Sequence, residues 1–308
     1  MFRLGYDTNG LAHHRVEDAL RLLAKLGYGG VAITPDVGQL DLYRLDRAEV
    51  RRVRRLAREL DLELVVETGA RYLMDPEHKH APTLLAPAAR DRARRVDFLR
   101  RSIDLAHDLG APLVSLWSGA EPSGATGDPP GPTPGVGDLV RRRTRSRRGG
   151  SAAVARGWDR LVAGLRPVLD HARGARVRVG FEPEPGMFVE RPTGYLELRR
   201  RLGARADELG LTLDVGHLLA TRDLPVDRQI RALGPYLAHV QLDDTAVGRH
   251  EHRMFGQGDL KLRSTLRALT QVPFTGLAAV ELSRDSHRGA AAAGEALERL
   301  RRADPSER

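Results

Sequence analysis

The 308-residue sequence contains no cysteine, and this absence excludes three kinds of chemistry together. Disulfide bonds, thiolate metal ligands and cysteine nucleophiles are all ruled out. A chain of this length can bury a large enough core to fold without such cross-links. Any metal must therefore be bound through oxygen and nitrogen, and the composition suits a reducing compartment, so we expect a cytoplasmic protein.

Long apolar runs are also missing from the sequence. No stretch approaches the roughly 20 apolar residues that a membrane-spanning helix needs. Residues 1–7 begin directly in a strand-like run, without the apolar core of a secretory signal. We therefore expect neither a membrane partner nor a cleaved leader.

The net charge of +9 suggests an anionic partner until its distribution is considered. Residues 141–148 contain six arginines, which leaves +3 for the rest of the chain. This run has no interleaved aromatic residues of the kind that stack on single-stranded bases. A solvated loop is favoured over a nucleic-acid-binding patch, so nucleic acid is the least favoured partner.

Eight strand-like apolar runs alternate with helix-like stretches along the chain. The stretches between the runs repeat apolar residues with the period of a surface helix, as residues 96–109 do. This alternation predicts an α/β fold, a (β/α)8 TIM barrel that residues 1–308 form as a single domain. The runs end near Tyr6, Ile33, Val66, Leu116, Phe181, Leu213, Leu242 and Leu282.

One segment, residues 121–150, breaks the alternation. It is rich in Pro and Gly and then in Arg, and it lacks the apolar surface needed to fold by itself. We interpret it as a flexible insertion after strand 4, on the side of the barrel where the strands end. A linker between two domains is the alternative, but eight strands are reached only by counting both sides of the segment.

Several of the apolar runs end at or near a carboxylate or a histidine. In a parallel barrel all the strand C-termini open on one face, so these residues converge although they are far apart in sequence. Each one alone has an ordinary interpretation, as a helix N-cap, a loop charge or a structural histidine. As a set they predict a site for a hard divalent ion, formed by Glu182, Asp214, His239 and Glu281.

Further polar residues accompany this set. Glu184 follows Glu182 by two positions, so both side chains can point the same way. His217 follows Asp214 by three positions, close enough to serve the same site if the chain turns between them. Near strand 3, three residues are candidates to bind a phosphate or carboxylate of a substrate: Arg71, Lys79 and His80. A solvated loop is an equally good interpretation of this segment.

In combination, the motifs of the second half resemble the xylose-isomerase-like barrel superfamily, which contains sugar isomerases and epimerases, inosose dehydratase and abasic-site endonucleases. The motifs are Asp214-Val215-Gly216-His217, His239 with a trailing Asp243-Asp244, Glu251-His252 before Gly256-Gln257-Gly258-Asp259, and Val280-Glu281-Leu282. The resemblance covers the chain except residues 121–150. It implies that Glu182, Asp214, His239 and Glu281 hold one divalent ion, and that His217 contacts substrate hydroxyls.

The resemblance also implies a reaction, proton transfer next to a carbonyl of a sugar or cyclitol. A divalent ion that chelates the carbonyl stabilises the enediolate formed when the neighbouring proton leaves. Glu182 and Glu281 are the predicted pair that removes and returns the proton. Oxygen and nitrogen ligands favour Mn²⁺, with Mg²⁺, Co²⁺ and Zn²⁺ as alternatives. A homo-oligomer is compatible with the resemblance.

Two departures from the epimerase pattern leave the substrate open. The position six after Glu182, where epimerases often carry another Glu, is Phe188, and the position six after His239, where an Arg can hold substrate, is Thr245. Glu184, Arg249 or Arg253 are candidates to replace them. A metal-dependent lyase or dehydratase is therefore the first alternative to an isomerase or epimerase.

A phosphodiesterase is the second alternative. His252 matches an extra metal ligand of the endonuclease branch, but strands 3 and 4 do not end in the histidines that this branch needs. Besides the four metal ligands, the residues predicted to contact substrate are Arg71, Lys79, Glu184, His217, His252 and Arg253.

Overall fold

The computed structural model describes residues 2–129 and 151–304. Eight parallel strands form a closed barrel in which each strand pairs with its sequence neighbours and the last pairs with the first. This confirms the predicted (β/α)8 barrel. The strands are β1 (Arg3–Asp7), β2 (Gly30–Ile33), β3 (Glu63–Glu67), β4 (Leu113–Leu116), β5 (Arg178–Phe181), β6 (Leu209–Asp214), β7 (Leu237–Leu242) and β8 (Leu277–Val280).

Nine α-helices are seen in the described ranges, and they cover the outside of the barrel. Their apolar stripes face the strands, as in the second helix, which buries Val50, Val53 and Ala57 and leaves its arginines outside. The helices are α1 (Val16–Leu26), α2 (Arg47–Glu59), α3 (Ala89–Leu109), α4 (Ser151–Ala175), α5 (Pro192–Leu202), α6 (Val215–Ala220), α7 (Val226–Leu233), α8 (Leu262–Thr270) and α9 (Gly289–Ala303). Between residues 2–129 and 151–304, no helix is both long enough and apolar enough to cross a membrane.

The predicted insertion follows β4, and its first part packs against the loop after β5. The Gly127 amide donates to the Phe188 carbonyl at 2.7 Å. The Asp128 carboxylate accepts from the backbone amides of Glu190 and Arg191 at 3.0 and 3.2 Å. These contacts hold residues 121–129 in place. The remainder of the predicted insertion, with the arginine run at 141–148, lies outside the described residues.

Inward-facing side chains of a TIM barrel lie in layers of four, contributed by alternate strands. Following the strand pairing around this barrel gives one such layer at the carboxyl ends of β1, β3, β5 and β7, formed by Asp7, Glu67, Glu182 and Gln241. The even strands supply the layer above it, formed by Thr34, Trp117, Asp214 and Glu281. Polar side chains are therefore concentrated at one end of the barrel.

The pairing of β6 with β7 contains one irregularity. Leu211 pairs with Leu237, but the next residue, Thr212, pairs with His239, so Ala238 is an extra residue on β7. Beyond this bulge the pairing is regular, and Asp214 lies beside Gln241. His239 therefore lies two layers deeper in the barrel than Gln241, with the layer of Thr212 between them.

Candidate active site

Three of the predicted metal ligands lie where their strands end. Glu182 continues β5, since its amide donates to the Leu116 carbonyl at 2.8 Å, and Glu281 continues β8 in the same way, donating to Leu242 at 3.0 Å. Asp214 ends β6 and caps α6, because its carboxylate accepts from the His217 amide at 3.0 Å. Strand geometry thus delivers all three carboxylates to one end of the barrel.

The side chains at this end form groups with the spacing of metal ligands. Ligand atoms of Glu182, Asp214 and His217 lie within 4.8 Å of one another, and so do those of Asp214, His252 and Glu281. Asp214 belongs to both groups, so the two groups share one region of the barrel mouth. His217 and His252, predicted as substrate contacts, lie close enough to these carboxylates to be ligands as well.

His239 lies apart from these groups. Among the described residues, it belongs to none of the clusters with metal-ligand spacing. Its side chain is fully buried, and its Nε2 lies 3.0 Å from the Glu67 Oε1. Gln241, two residues further along β7, occupies the position beside Asp214. Sequence reasoning did not single out Gln241, Glu67 or Asp7.

Several oxygens of this region are buried and make no hydrogen bond with any described residue. A buried carboxylate left in this condition destabilises a protein by several kcal/mol unless a cation or a proton compensates it. The donor atoms at this end of the barrel therefore suit a divalent ion. The oxygens are Asp7 Oδ2, Glu67 Oε1, Asp214 Oδ2, Gln241 Oε1 and Asp243 Oδ1.

The carboxylates also perturb one another. Burial, followed by the charges of Glu184 and Glu67, raises the pKa of Glu182 well above its ordinary value. Burial and the charge of Asp243 raise the pKa of Asp214 in the same direction. Glu184 faces this region too, and burial together with Glu281 raises its pKa to about 7. Perturbed carboxyl groups that share one cleft are typical of catalytic sites.

Glu281 is held more firmly than its neighbours. Asn9 Nδ2 donates to its Oε1 and Gln241 Nε2 donates to its Oε2, both at 2.8 Å. Burial raises the pKa of Glu281, while the charge of His252 opposes this rise. The two amide donors fix the orientation of the carboxylate and leave it accessible from the barrel mouth, since its residue is only partly buried.

Three histidines form a second cluster next to the carboxylates. Nε2 of His250 lies 3.0 Å from Nε2 of His217 and 3.1 Å from Nε2 of His252. Burial lowers the pKa of His217 well below its usual value and that of His250 to about 4. Burial also opposes charge on His252, but Glu281 and Asp243 outweigh it and raise its pKa. His250 was missed by sequence reasoning, although its spacing to His252 is a metal-ligand signal.

The basic residues predicted to contact substrate at the barrel mouth differ in whether they already contact another side chain. Arg71 Nε lies 3.4 Å from Asp36 Oδ2, and Arg253 Nη2 lies 2.7 Å from Glu251 Oε2. Lys79 is exposed, its charge acts on Glu184, and it has no ion pair or hydrogen bond within residues 2–129 and 151–304. His80 packs edge-on against Trp117 with 5.2 Å between ring centroids. Of the four, Lys79 is the group most available to a ligand.

Arg95 is a fully buried arginine behind this rim, which sequence reasoning also missed. Its guanidinium carbon lies 4.6 Å from the centre of the Trp117 ring and 4.9 Å from that of Phe98. Its Nη2 donates to the Thr68 carbonyl at 3.1 Å, whereas Nη1 makes no hydrogen bond with the described part of the chain. Burial lowers the pKa of Arg95 to about 10. The stack fixes Trp117 as one wall of the barrel mouth.

The profile of the xylose isomerase-like TIM barrel family matches residues 20–303. The chain belongs to the xylose isomerase-like TIM barrel family. A search of curated proteins finds no match.

Solved structures of similar fold include several sugar epimerases. The D-allulose 3-epimerase from Methylomonas sp. is 17% identical, each chain is covered over 98% of its length, and the TM-score is 0.70. A structure of the IolI protein with a bound zinc atom has 16% identity, 98% coverage of both chains and a TM-score of 0.72. The 3-keto-D-glucoside 4-epimerase YcjR from E. coli has 14% identity, coverage of 98% and 100%, and a TM-score of 0.70. At such identities, the similarity shows the fold of the xylose isomerase-like barrels.

Proposed function

We propose that this xylose isomerase-like barrel is a divalent-metal-dependent isomerase or epimerase of a sugar or cyclitol. One observation carries the proposal. Glu182 and Glu281 each belong to a group of metal-ligand spacing that includes Asp214, at one end of the barrel, among buried oxygens that have no hydrogen-bond partner in the described residues. The fold of sugar epimerases and of the zinc-binding IolI protein is consistent with it.

Glu182, Asp214 and Glu281 would hold the ion, with Mn²⁺ favoured over Mg²⁺, Co²⁺ and Zn²⁺. When bound, the ion supplies positive charge next to the substrate carbonyl, which stabilises an enediolate. Glu281 and Glu182 extend from β8 and β5, three strands apart, and so can approach a substrate from different sides. Each would remove or return one proton, and the amides of Asn9 and Gln241 would orient Glu281 for this step.

Residues at the mouth would contact the rest of the substrate. Lys79 offers an exposed ammonium group whose charge acts on Glu184, so it suits an anionic or hydroxyl-rich end of the molecule. His217 and His252 face the carboxylates and suit hydroxyl groups. Arg71 and Arg253 each engage an acidic neighbour, so they can bind substrate only if that pair opens.

The test is metal analysis of protein purified without chelator, followed by proton exchange in deuterated water with a panel of ketoses and inososes. The proposal expects about one tightly bound divalent ion and exchange at a carbon next to a carbonyl. Loss of water from an inosose without exchange into recovered substrate would replace it with the dehydratase alternative. Neither metal nor any reaction across the panel would rule it out.

A phosphodiesterase is the second candidate, and the His217, His250 and His252 cluster favours it. Three nitrogen ligands within 4.8 Å of one another suit an additional ion, as hydrolysis of a phosphodiester often requires. Hydrolysis of bis-p-nitrophenyl phosphate by the metal-loaded protein, lost in His250→Asn, would support this candidate. Absence of hydrolysis with Mn²⁺ and Zn²⁺ alike would exclude it.

A further inference from the structure

Strand β7 turns two polar side chains into the barrel, His239 and Gln241. Alternation along a strand cannot separate them, because residues two apart point to the same side. They are nevertheless about 6.6 Å apart along the strand, which is more than twice the length of a metal–ligand bond. The strand register decides which of them lies level with Asp214 and its neighbours.

We propose that β7 presents the side-chain oxygen of Gln241 to the divalent ion, and that His239 is not a ligand. The inference rests on the metal dependence proposed above. Its first support is the strand register, which pairs Asp214 with Gln241 and pairs His239 with Thr212. Thr212 belongs to the layer below, where its Oγ1 accepts from Ser115 Oγ at 2.9 Å.

The orientation of the Gln241 amide is the second support. Its Nε2 donates to Glu281 Oε2 at 2.8 Å, so the amide oxygen points away from that contact. The side chain is only 3% exposed, and Oε1 has no hydrogen-bond partner within the described ranges. A buried amide oxygen without a partner is costly, and an ion shared with Glu281 would compensate it.

The surroundings of His239 are the third support. Its Nε2 faces Glu67 Oε1 at 3.0 Å, on the side of β3. Neither ring nitrogen makes a hydrogen bond in the described ranges, but the residue is fully buried and belongs to none of the described groups with metal-ligand spacing. Glu67 comes from the first described layer, so His239 reaches up to it from below and lies under the carboxylates. In this position His239 closes the floor of the site, and Glu67 lies between it and the barrel mouth.

The side chain at position 241 affects which metal the site prefers. With Gln241 in place, the four strands β5 to β8 present only oxygen atoms to the ion: Glu182, Asp214, Gln241 and Glu281. Carboxylate and amide oxygens suit Mg²⁺ and Mn²⁺, whereas imidazole favours Zn²⁺. The protein should therefore prefer Mn²⁺ to Zn²⁺ more strongly than a variant with an imidazole at position 241.

The experiment measures Mn²⁺ and Zn²⁺ binding by titration calorimetry on chelator-stripped protein. Gln241→Leu should weaken Mn²⁺ binding by about 10-fold or more, in the range seen when a ligand environment is damaged. His239→Asn, on the same strand and two residues away, is the matched control and should leave the Mn²⁺ affinity close to that of the parent. Circular dichroism confirms that each variant is folded.

Two further variants separate a ligand from a residue that only orients Glu281. Gln241→Glu keeps an oxygen but cannot donate to Glu281, and it should retain or tighten Mn²⁺ binding. Gln241→His should raise the Zn²⁺ to Mn²⁺ affinity ratio by about 10-fold and change the visible spectrum of the Co²⁺-loaded protein. An orienting role alone would instead make Gln241→Glu as weak as Gln241→Leu.

The outcomes are distinguishable from failure of the proposed function. If the parent protein binds no divalent ion, the proposed function and this inference both fall. If the parent binds Mn²⁺ but His239→Asn weakens binding while Gln241→Leu does not, the inference alone is overturned. The same holds if only His252→Asn loses the ion, because a loop would then supply the ligand in place of β7.

Discussion

The two ends of the barrel treat charge in opposite ways. At the amino ends of the strands, arginines meet acids near the surface, as Arg199 Nη2 does with Asp207 Oδ1 at 2.7 Å and Arg173 Nη2 with Glu208 Oε1 at 2.6 Å. At the carboxyl ends, buried carboxylates face one another. The first arrangement pairs opposite charges, whereas the second opposes folding, as is typical of functional sites at the carboxyl ends of barrel strands.

The largest expected effect separates the carboxylates that move protons from their neighbours. Glu182→Gln or Glu281→Gln keeps the size of the side chain and an oxygen but removes the base, so proton exchange should fall by about 10²-fold or more. Exchange is followed by NMR in deuterated water, on protein confirmed to be metal-loaded. Glu184→Gln serves as the control and should be much milder.

Parent-like exchange in both metal-loaded variants would rule out the two-carboxylate mechanism. A lyase or hydrolase would then be the better interpretation of the same site. Either result also tells which carboxylates at this end of the barrel contribute to chemistry and which only to binding.

The second prediction concerns stability with and without metal. Asp214→Asn retains the cap on α6 and removes a buried negative charge, so the metal-free protein should melt at or above the parent temperature. The parent should gain about 2.7 kcal/mol of stability when Mn²⁺ is present at a hundredfold excess over its dissociation constant. Asp214→Asn should lose most of that gain.

The comparison at the other end is Asp207→Asn, whose carboxylate is almost fully exposed. Thermal melts with Mn²⁺ and with EDTA should give the same metal-dependent gain for Asp207→Asn as for the parent. A similar loss in both variants would show that Mn²⁺ stabilises the fold without using the carboxyl ends of the strands.

A third prediction uses Asp128, a partly buried carboxylate at the carboxyl end that does have partners. It accepts from Thr126 Oγ1 at 2.7 Å and from two backbone amides, yet burial still raises its pKa to about 6. Because the folded pKa lies above the unfolded value of 3.8, its ionisation opposes folding, and stability is lost as pH rises from about 4 to about 7. The loss should be on the order of 1–3 kcal/mol.

The measurement is urea unfolding of the parent and of Asp128→Asn across this pH range. The parent should lose stability relative to the variant as pH rises. Parallel pH profiles for the two proteins would contradict the prediction. Comparing the two proteins also removes the contribution of the other buried carboxylates, which both share.

The smallest effect is expected at the amino ends. Glu208 is bonded to Arg173 and to Arg205, and both arginines draw the pKa of its carboxyl down from the ordinary value. Because these pairs are near the surface, Glu208→Gln should change the free energy of unfolding by no more than about 1 kcal/mol. Urea unfolding checks this, and a loss of several kcal/mol would contradict the contrast between the two ends.

The sequence was sufficient to predict the barrel and the convergence of three carboxylates at one of its ends, because each depends on a local signal. Glu182, Asp214 and Glu281 follow apolar runs, and the ends of parallel strands meet at one face. The choice between His239 and Gln241 depends on strand register, which alternation does not reveal. Because histidine is a common metal ligand, the sequence alone favours His239 over Gln241.

Arg95 illustrates a signal that was present in the sequence but carried little weight. It precedes Phe98, Leu99 and Ser102 at the spacing of a single helix face, and all of these side chains are buried. An arginine at a core-facing position of α3 is unusual. Its partner Trp117 directly follows β4, outside α3, so the aromatic stack itself could be seen only in three dimensions.

The stack of Arg95 on Trp117 also provides an optical probe of the site. The chain contains two tryptophans, and only Trp117 lies at the barrel mouth, since Trp158 packs against Phe188 on the outside. Indole emission responds to charge and to solvent nearby, and Trp117 lies between a guanidinium and the ring of His80. In a Trp158→Phe protein, intrinsic fluorescence would report ligand entry without any label.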